Sequence, residues 1–150
     1  MKVQESKLRA LIEESRSFVD FGDFGDGASE QWCASAEAAL GISLPPSLRW
    51  WLKNYGGGEV LGEEIYSIYG QDFDTVVGGD LVRQYRALRS EGVVTSLQLP
   101  ICHSDIDGLF FIDKSRVDES GESPVVSAAT RSDYAVDFSD FLAKRIAMGR

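Results

Sequence analysis

The stretch Glu37-Ala38-Ala39-Leu40-Gly41-Ile42-Ser43-Leu44-Pro45-Pro46-Ser47-Leu48-Arg49-Trp50-Trp51-Leu52-Lys53-Asn54-Tyr55-Gly56-Gly57-Gly58 decides how the chain folds. Its first part ends a helix. Ser29 is placed to cap that helix, the turn-spaced Trp32, Ala36 and Leu40 give it an apolar side, and Gly41 stops it in a left-handed turn. Ile42 to Pro46 is then extended, and the prolines open a further helix, because proline suits a first helical turn. That helix runs from Ser47 to Tyr55 with Leu48, Trp50, Trp51 and Leu52 on more than one side, which predicts deep burial. The three glycines stop it.

Outward from this centre the period of the apolar residues changes. Upstream, Leu8, Leu11, Ile12, Ser15 and Val19 fall on one stripe and predict an amphipathic helix from Ser6 to Val19. Phe21-Gly22-Asp23-Phe24-Gly25-Asp26-Gly27 is too rich in glycine to continue it and is expected to be a loop with two aromatics among carboxylates. Downstream, Glu63 to Tyr69 alternates as a strand, and Asp80 to Ser90 carries Leu81, Tyr85 and Leu88 as a helix face. Leu97 to His103 and Leu109 to Asp113 flank Asp105-Ile106-Asp107-Gly108, a strong hairpin signal. Pro124 to Ser127 is a further strand, and Phe138 to Ala147 closes the chain as a helix. The expected architecture is α+β: N-terminal helices on a mostly antiparallel sheet, with an interposed and a C-terminal helix, in one domain over residues 1–150.

Composition narrows the function. With 43% hydrophobic and 26% charged residues the chain has ample material for a core. It has no apolar run of membrane-spanning length, and Met1 to Lys7 has no signal-peptide core, so a cytoplasmic protein with reduced Cys33 and Cys102 is expected. Lys and Arg number 15 against 24 Asp and Glu, a net charge of −9. No cation lies between Ser17 and Leu48, where Asp20, Asp23, Asp26, Glu30 and Glu37 stand. Another such gap, from Asn54 to Val82, holds Glu59, Glu63, Glu64, Asp72, Asp74 and Asp80. Such a surface repels nucleic acid and anionic lipid and attracts basic partners; plain solubility is the alternative.

Catalytic signatures are missing. There is no Gly-x-Ser-x-Gly elbow, and Gly56-Gly57-Gly58-Glu59 lacks the Gly-Lys-Ser/Thr of a phosphate-binding loop. Cys102-His103-Ser104-Asp105-Ile106-Asp107 has metal-ligating residue types, but His103 is the sole histidine and a hairpin tip accounts for the aspartates. Cys102 and His103 alternate to opposite faces of a strand, as do Glu63 and Glu64, which disfavours a nucleophile–base pair or a two-carboxylate site. Trp32, Trp50 and Trp51 fall at helical positions and belong to the core rather than to a ligand platform. Neither enzyme activity, cofactor nor metal is expected.

Taken together, Trp32, Glu37-x-x-Leu40-Gly41-Ile42-x-Leu44-Pro45-Pro46-x-Leu48 and Trp51-Leu52-x-x-Tyr55-Gly56-Gly57-Gly58 resemble the SUKH superfamily in its Smi–Knr cell-wall-regulator branch. There a helix ends in Leu-Gly-x-x-Leu-Pro and the next ends in an Asn- or Tyr-Gly-Gly turn. Ile65-Tyr66, Leu99-Pro100-Ile101, Asp107-Gly108, Gly121-Glu122-x-Pro124-Val125-Val126 and Phe138-Ser139-Asp140-Phe141-Leu142 follow in matching order, so the resemblance spans about Glu30 to Ile146. The acidic loop Phe21 to Gly27 and the helix at Asp80 to Ser90 depart from the pattern.

The resemblance implies function by binding. Bacterial members of the superfamily are mainly immunity proteins that neutralise a toxin, often a nuclease or nucleic-acid deaminase; fungal members are regulators or scaffolds, and an endogenous partner is the alternative here. No catalytic residues carry over. An acidic inhibitor suits a basic toxin domain, with Phe21 and Phe24 as expected anchors beside Asp20, Asp23 and Asp26, and Glu59, Glu63 and Glu64 as rim charges. An ordinary solvated loop with the phenylalanines folded inward is the competing expectation. The chain is expected to be a monomer, although edge strands could pair.

Overall fold

The computed structural model describes residues 1–150. In chain order it has α1 (Glu5–Glu14), β1 (Val19–Phe21), α2 (Glu30–Leu40), α3 (Pro46–Tyr55), β2 (Gly58–Val60), β3 (Glu63–Ile65), α4 (Leu81–Ser90), β4 (Gln98–Ser104), β5 (Gly108–Asp113), β6 (Val125–Ser127), β7 (Ser132–Ala135) and α5 (Phe138–Ala147). The fold is α+β, as the periodicities predict. The seven strands form one sheet in the order β1 to β7, with every neighbouring pair antiparallel.

Local chemistry sets the helix ends. Ser29 accepts a hydrogen bond from Trp32 N, Asp80 from Arg83 N and Asp137 from Asp140 N, each satisfying an amide with no intrahelical partner. Gly41 ends α2 in the left-handed conformation. The α2–α3 joint is further held by Glu37, whose carboxylate accepts from Leu44 N at 2.8 Å and from the Arg49 guanidinium at 2.8 Å. This contact locks the extended Ile42 to Pro45 segment between the two helices.

The triple glycine does more than stop a helix. Gly56 takes the left-handed conformation at φ 77 and caps α3. Gly58, at φ 140, is the first residue of β2 and lies so close to β1 that a Cβ there would meet Asp20 O at 2.0 Å. Only glycine allows that approach.

Four strands differ from the sequence expectation, β2 among them, since Gly58 was expected only as part of a helix stop. The helical stripe running to Val19 breaks after Glu14, and Val19 to Phe21 pairs with β2 as an edge strand. Phe21, expected in a loop, is therefore in the sheet. The alternation expected through Tyr69 continues as strand only to Ile65, beyond which Ser67 forms a single bridge with Asp80. β7 has no clear apolar signal and exists through its pairing with β6.

One apolar cluster joins sheet and helices. Leu8, Ile12, Trp51, Leu52, Tyr55, Phe138, Phe141 and Ile146 from the helices pack with Val19, Phe21, Val60, Ile65, Leu99, Phe110, Ile112 and Val125 from the strands. Trp51 is fully buried with its ring 5.2 Å from Phe21 and 5.5 Å from Phe138, tying α3 to β1 and α5. The buried Trp51 indole N–H has no hydrogen-bond partner, a local cost the surrounding apolar packing outweighs.

Candidate functional site

Register gathers the acidic residues of the first strands. Asp20 lies opposite Glu59, and Glu59 opposite Glu64. Neighbouring residues on each strand point the other way, so Val19, Phe21, Val60 and Ile65 enter the core while these three carboxylates form a row on the opposite face. Like charges facing each other across strands destabilise a sheet. Facing one another, these charges oppose the pairing of β1 to β3 rather than support it.

Each expected site residue has a definite place. Asp20 and Glu59 are exposed, as are Asp23 and Asp26 in the loop after β1, and no salt bridge reaches any of the four. The loop is not free. Gly25 N donates to Asn54 O at 2.8 Å and Ala28 N to Leu52 O at 2.8 Å, pinning it to the end of α3. Glu64 is half-buried and accepts from the Tyr69 hydroxyl, which in turn accepts from Gly79 N. Burial, reinforced by the Glu64 bond, pushes the Tyr69 hydroxyl up to about 12, so it stays protonated as a donor.

The other three lie elsewhere than expected. Phe21 is 6% exposed and packs against Trp51 and Tyr55, so it is a core residue and not a surface anchor. Phe24 is half-buried: its ring is 5.5 Å from Tyr55, and the Arg9 guanidinium covers it at 3.5 Å. Glu63 faces the core side and is bound by Arg145 at 2.7 Å, by the Ser104 hydroxyl at 2.6 Å and by Asp105 N at 3.0 Å. Burial pushes the Glu63 carboxyl up, but these hydrogen bonds and the Arg145 charge outweigh it and hold the carboxyl below its ordinary value. Glu63 is a structural charge, not a rim charge.

Arg145 was not legible as a partner. This α5 side chain is 4% exposed and bridges Glu63 and Asp107, each at 2.7 Å, with its guanidinium 5.1 Å from the Phe110 ring centroid. Its two carboxylates lie 82 and 38 residues away in the chain. The signal available was a lone Arg on the apolar stripe of α5, which must pair if buried.

The hairpin chemistry is unsuited to nucleophilic catalysis. Cys102 is buried and its thiol is pushed up to about 12 by that burial, so it carries no thiolate, while His103 is exposed on the other face. Asp107 is engaged by Arg145. No group of three His, Cys, Asp or Glu side chains is gathered at metal-ligating distance. No helix is long and apolar enough to cross a membrane.

Five helices and a seven-stranded antiparallel meander define the class as a small α+β domain of the SUKH type. The chain belongs to the SUKH_6 family, described as SMI1-KNR4 cell-wall, whose model matches residues 30–142. Members of that family are generally non-catalytic immunity or regulatory proteins. No curated protein matches the chain. The matched region contains β2, β3 and the Arg145-facing hairpin; α1, β1 and the acidic loop precede it.

Proposed function

We propose that this chain is an immunity protein acting from the cytoplasm as a single folded domain. It neutralises a cognate toxin by direct one-to-one binding, and the toxin is a basic domain that acts on nucleic acid. The observation that carries this is the set of exposed carboxylates Asp20, Asp23, Asp26 and Glu59, none compensated by a cation, on a fold of the SUKH family.

The physical logic is complementarity. A toxin that handles nucleic acid presents Lys and Arg to phosphates, and a set of exposed carboxylates occupies the same cations. Opposite fields raise the association rate and disfavour non-cognate partners. Useful protection needs a dissociation constant of about a nanomolar or below, about 12 kcal/mol, which charge alone does not supply. Apolar contact must add to it, and Phe21 and Phe24 are already engaged within the fold.

The test is titration calorimetry of the purified chain against the toxin domain encoded beside its gene, at 50 mM and 300 mM salt. A one-to-one complex whose affinity falls steeply with salt is expected. Absence of binding would reject the proposal and favour an endogenous partner.

A further inference from the structure

We propose that the β4–β5 turn, with Ile106 at its tip, is the apolar anchor of the partner interface and enters an apolar pocket rimmed by Lys or Arg side chains. This rests on the toxin-binding function proposed above and supplies the apolar contact that function lacks.

Ile106 is 86% exposed, more than any other large apolar side chain in the molecule. Single exposed aliphatics are common on protein surfaces. What distinguishes this one is the scaffold beneath it. Asp105 N donates to Glu63 at 3.0 Å, while Ile106 N and Asp107 N donate to the Ser104 hydroxyl oxygen at 3.2 and 3.0 Å. Ser104 in turn donates to Glu63 at 2.6 Å, and Arg145 clamps Glu63 and Asp107 from α5. Residues from β3, β4 and α5 thus hold a turn whose central side chain touches water. A turn already ordered loses little conformational freedom on binding, which is what an anchor requires.

The adjacent turns carry a second sign. Leu61, in the turn leading into Glu63, is 44% exposed and holds φ 53; Arg131, in the β6–β7 turn, holds φ 56. They are the two non-glycine residues in the left-handed region, and both lie at the end of the sheet that carries Ile106. Leu61 and Gly62, at φ 53 and 79, form the two-residue loop of the β2–β3 hairpin, a turn that needs positive φ at both positions, so the hairpin itself holds Leu61 in its exposed place. Leu61 and Ile106, on neighbouring turns, offer a partner two apolar points.

Charge selects the occupant. Asp105 and Asp107 flank the tip; Arg145 pairs with Asp107, and the exposed Asp105 side chain has no ion-pair partner. With a net charge of −9 behind it, a negative tip around an aliphatic knob fits a pocket with a basic rim. The row of Asp20, Glu59 and Glu64 runs beside this end of the sheet, so one partner surface can span both.

The experiment titrates the toxin domain encoded beside the gene against wild-type chain, Ile106→Asp, Asp105→Lys and the triple variant Asp20→Lys, Asp23→Lys, Asp26→Lys. Ile106→Asp is expected to weaken binding about 100-fold, the scale of an interface hot spot, and Asp105→Lys about 10-fold. Thermal midpoints should be unchanged, because both side chains lie in water. Binding by Ile106→Asp and Asp105→Lys within twofold of wild type would overturn the inference; if the triple variant then fails to bind, the proposed function stands with its contact on the acidic loop. Failure of the wild type to bind would overturn both. A wild-type dimer in sedimentation that Ile106→Asp dissolves would assign the tip to self-contact and overturn the inference as well.

Discussion

Two groups of carboxylates in this molecule have opposite surroundings. Glu63, Glu122, Asp137 and Asp140 lie within the fold, each bound by named donors: Arg145 and Ser104 on Glu63, Ser47 on Glu122, the α5 amide of Asp140 on Asp137, and Val136 N on Asp140. Asp20, Asp23, Asp26 and Glu59 lie in water with no ion pair. The residue types are the same. The difference teaches that an excess of acid in a sequence is not one property: some of it is bound within the structure, and some lies in water without an ion-pair partner.

The comparison can be broken most forcefully at Arg145. Arg145→Ala leaves Glu63 and Asp107 without their cation, and a loss of about 3 kcal/mol is expected in urea unfolding, less than for a fully buried pair because Asp107 keeps partial contact with water. A loss below about 1 kcal/mol would reduce the pair to an ordinary surface contact. Next comes Asp137→Ala, which removes the α5 cap and the acceptor of the Ser139 hydroxyl at 2.7 Å. About 1 to 2 kcal/mol should be lost, read as a lower thermal midpoint.

Two glutamates, the half-buried Glu63 and the buried Glu122, sharpen the comparison through pH, with opposite signs. Glu63 is held below its ordinary value of 4.5, so its stabilisation is complete above that value and is lost as pH falls through the depressed one. Glu122 is raised above 4.5, first by burial, although the Ser47 hydrogen bonds work against the shift. Its contribution is complete below 4.5 and is lost as pH rises through the raised value. Unfolding free energy measured from pH 3 to pH 7 should therefore flatten on the acid side in Glu63→Gln. In Glu122→Gln the chain should gain relative to wild type toward neutral pH. Parallel wild-type and Glu122→Gln profiles would show that the buried carboxyl is fully compensated by Ser47.

The smallest effect on folding belongs to the exposed group. Reversing Asp20, Asp23 and Asp26 to Lys should change stability by no more than about 0.5 kcal/mol per site, since none has a partner to lose. The same variant should flatten the salt dependence of toxin binding. A large loss of stability would mean these carboxylates belong with the structural group after all.

Much of the fold was legible because local rules and tertiary packing agree. Ser29, Gly41, Pro46 and Gly56 mark helix ends by backbone chemistry that needs no distant partner, and α2, α3, α4, the β4–β5 hairpin and α5 follow the periodicity. The short strands were not legible. Val19 to Phe21 fits the end of a helical stripe as well as it fits a strand, and only its pairing with Gly58 to Val60 decides between them. The site was legible as composition and not as geometry. Asp20, Asp23, Asp26 and Glu59 are where an acidic surface was expected, whereas Phe21 and Glu63 had their faces assigned by register.

By itself the sequence determined the α+β class, the ends of α2 to α5, the acidic balance and the family motif across the α2–α3 joint, because each depends on residues a few positions apart. Only the tertiary structure decided which carboxylates are structural and which are free. That choice depends on which face of a strand a residue occupies and on whether a distant guanidinium, Arg145 for Glu63, comes within 2.7 Å. The pairing register settles both, and no local pattern encodes it.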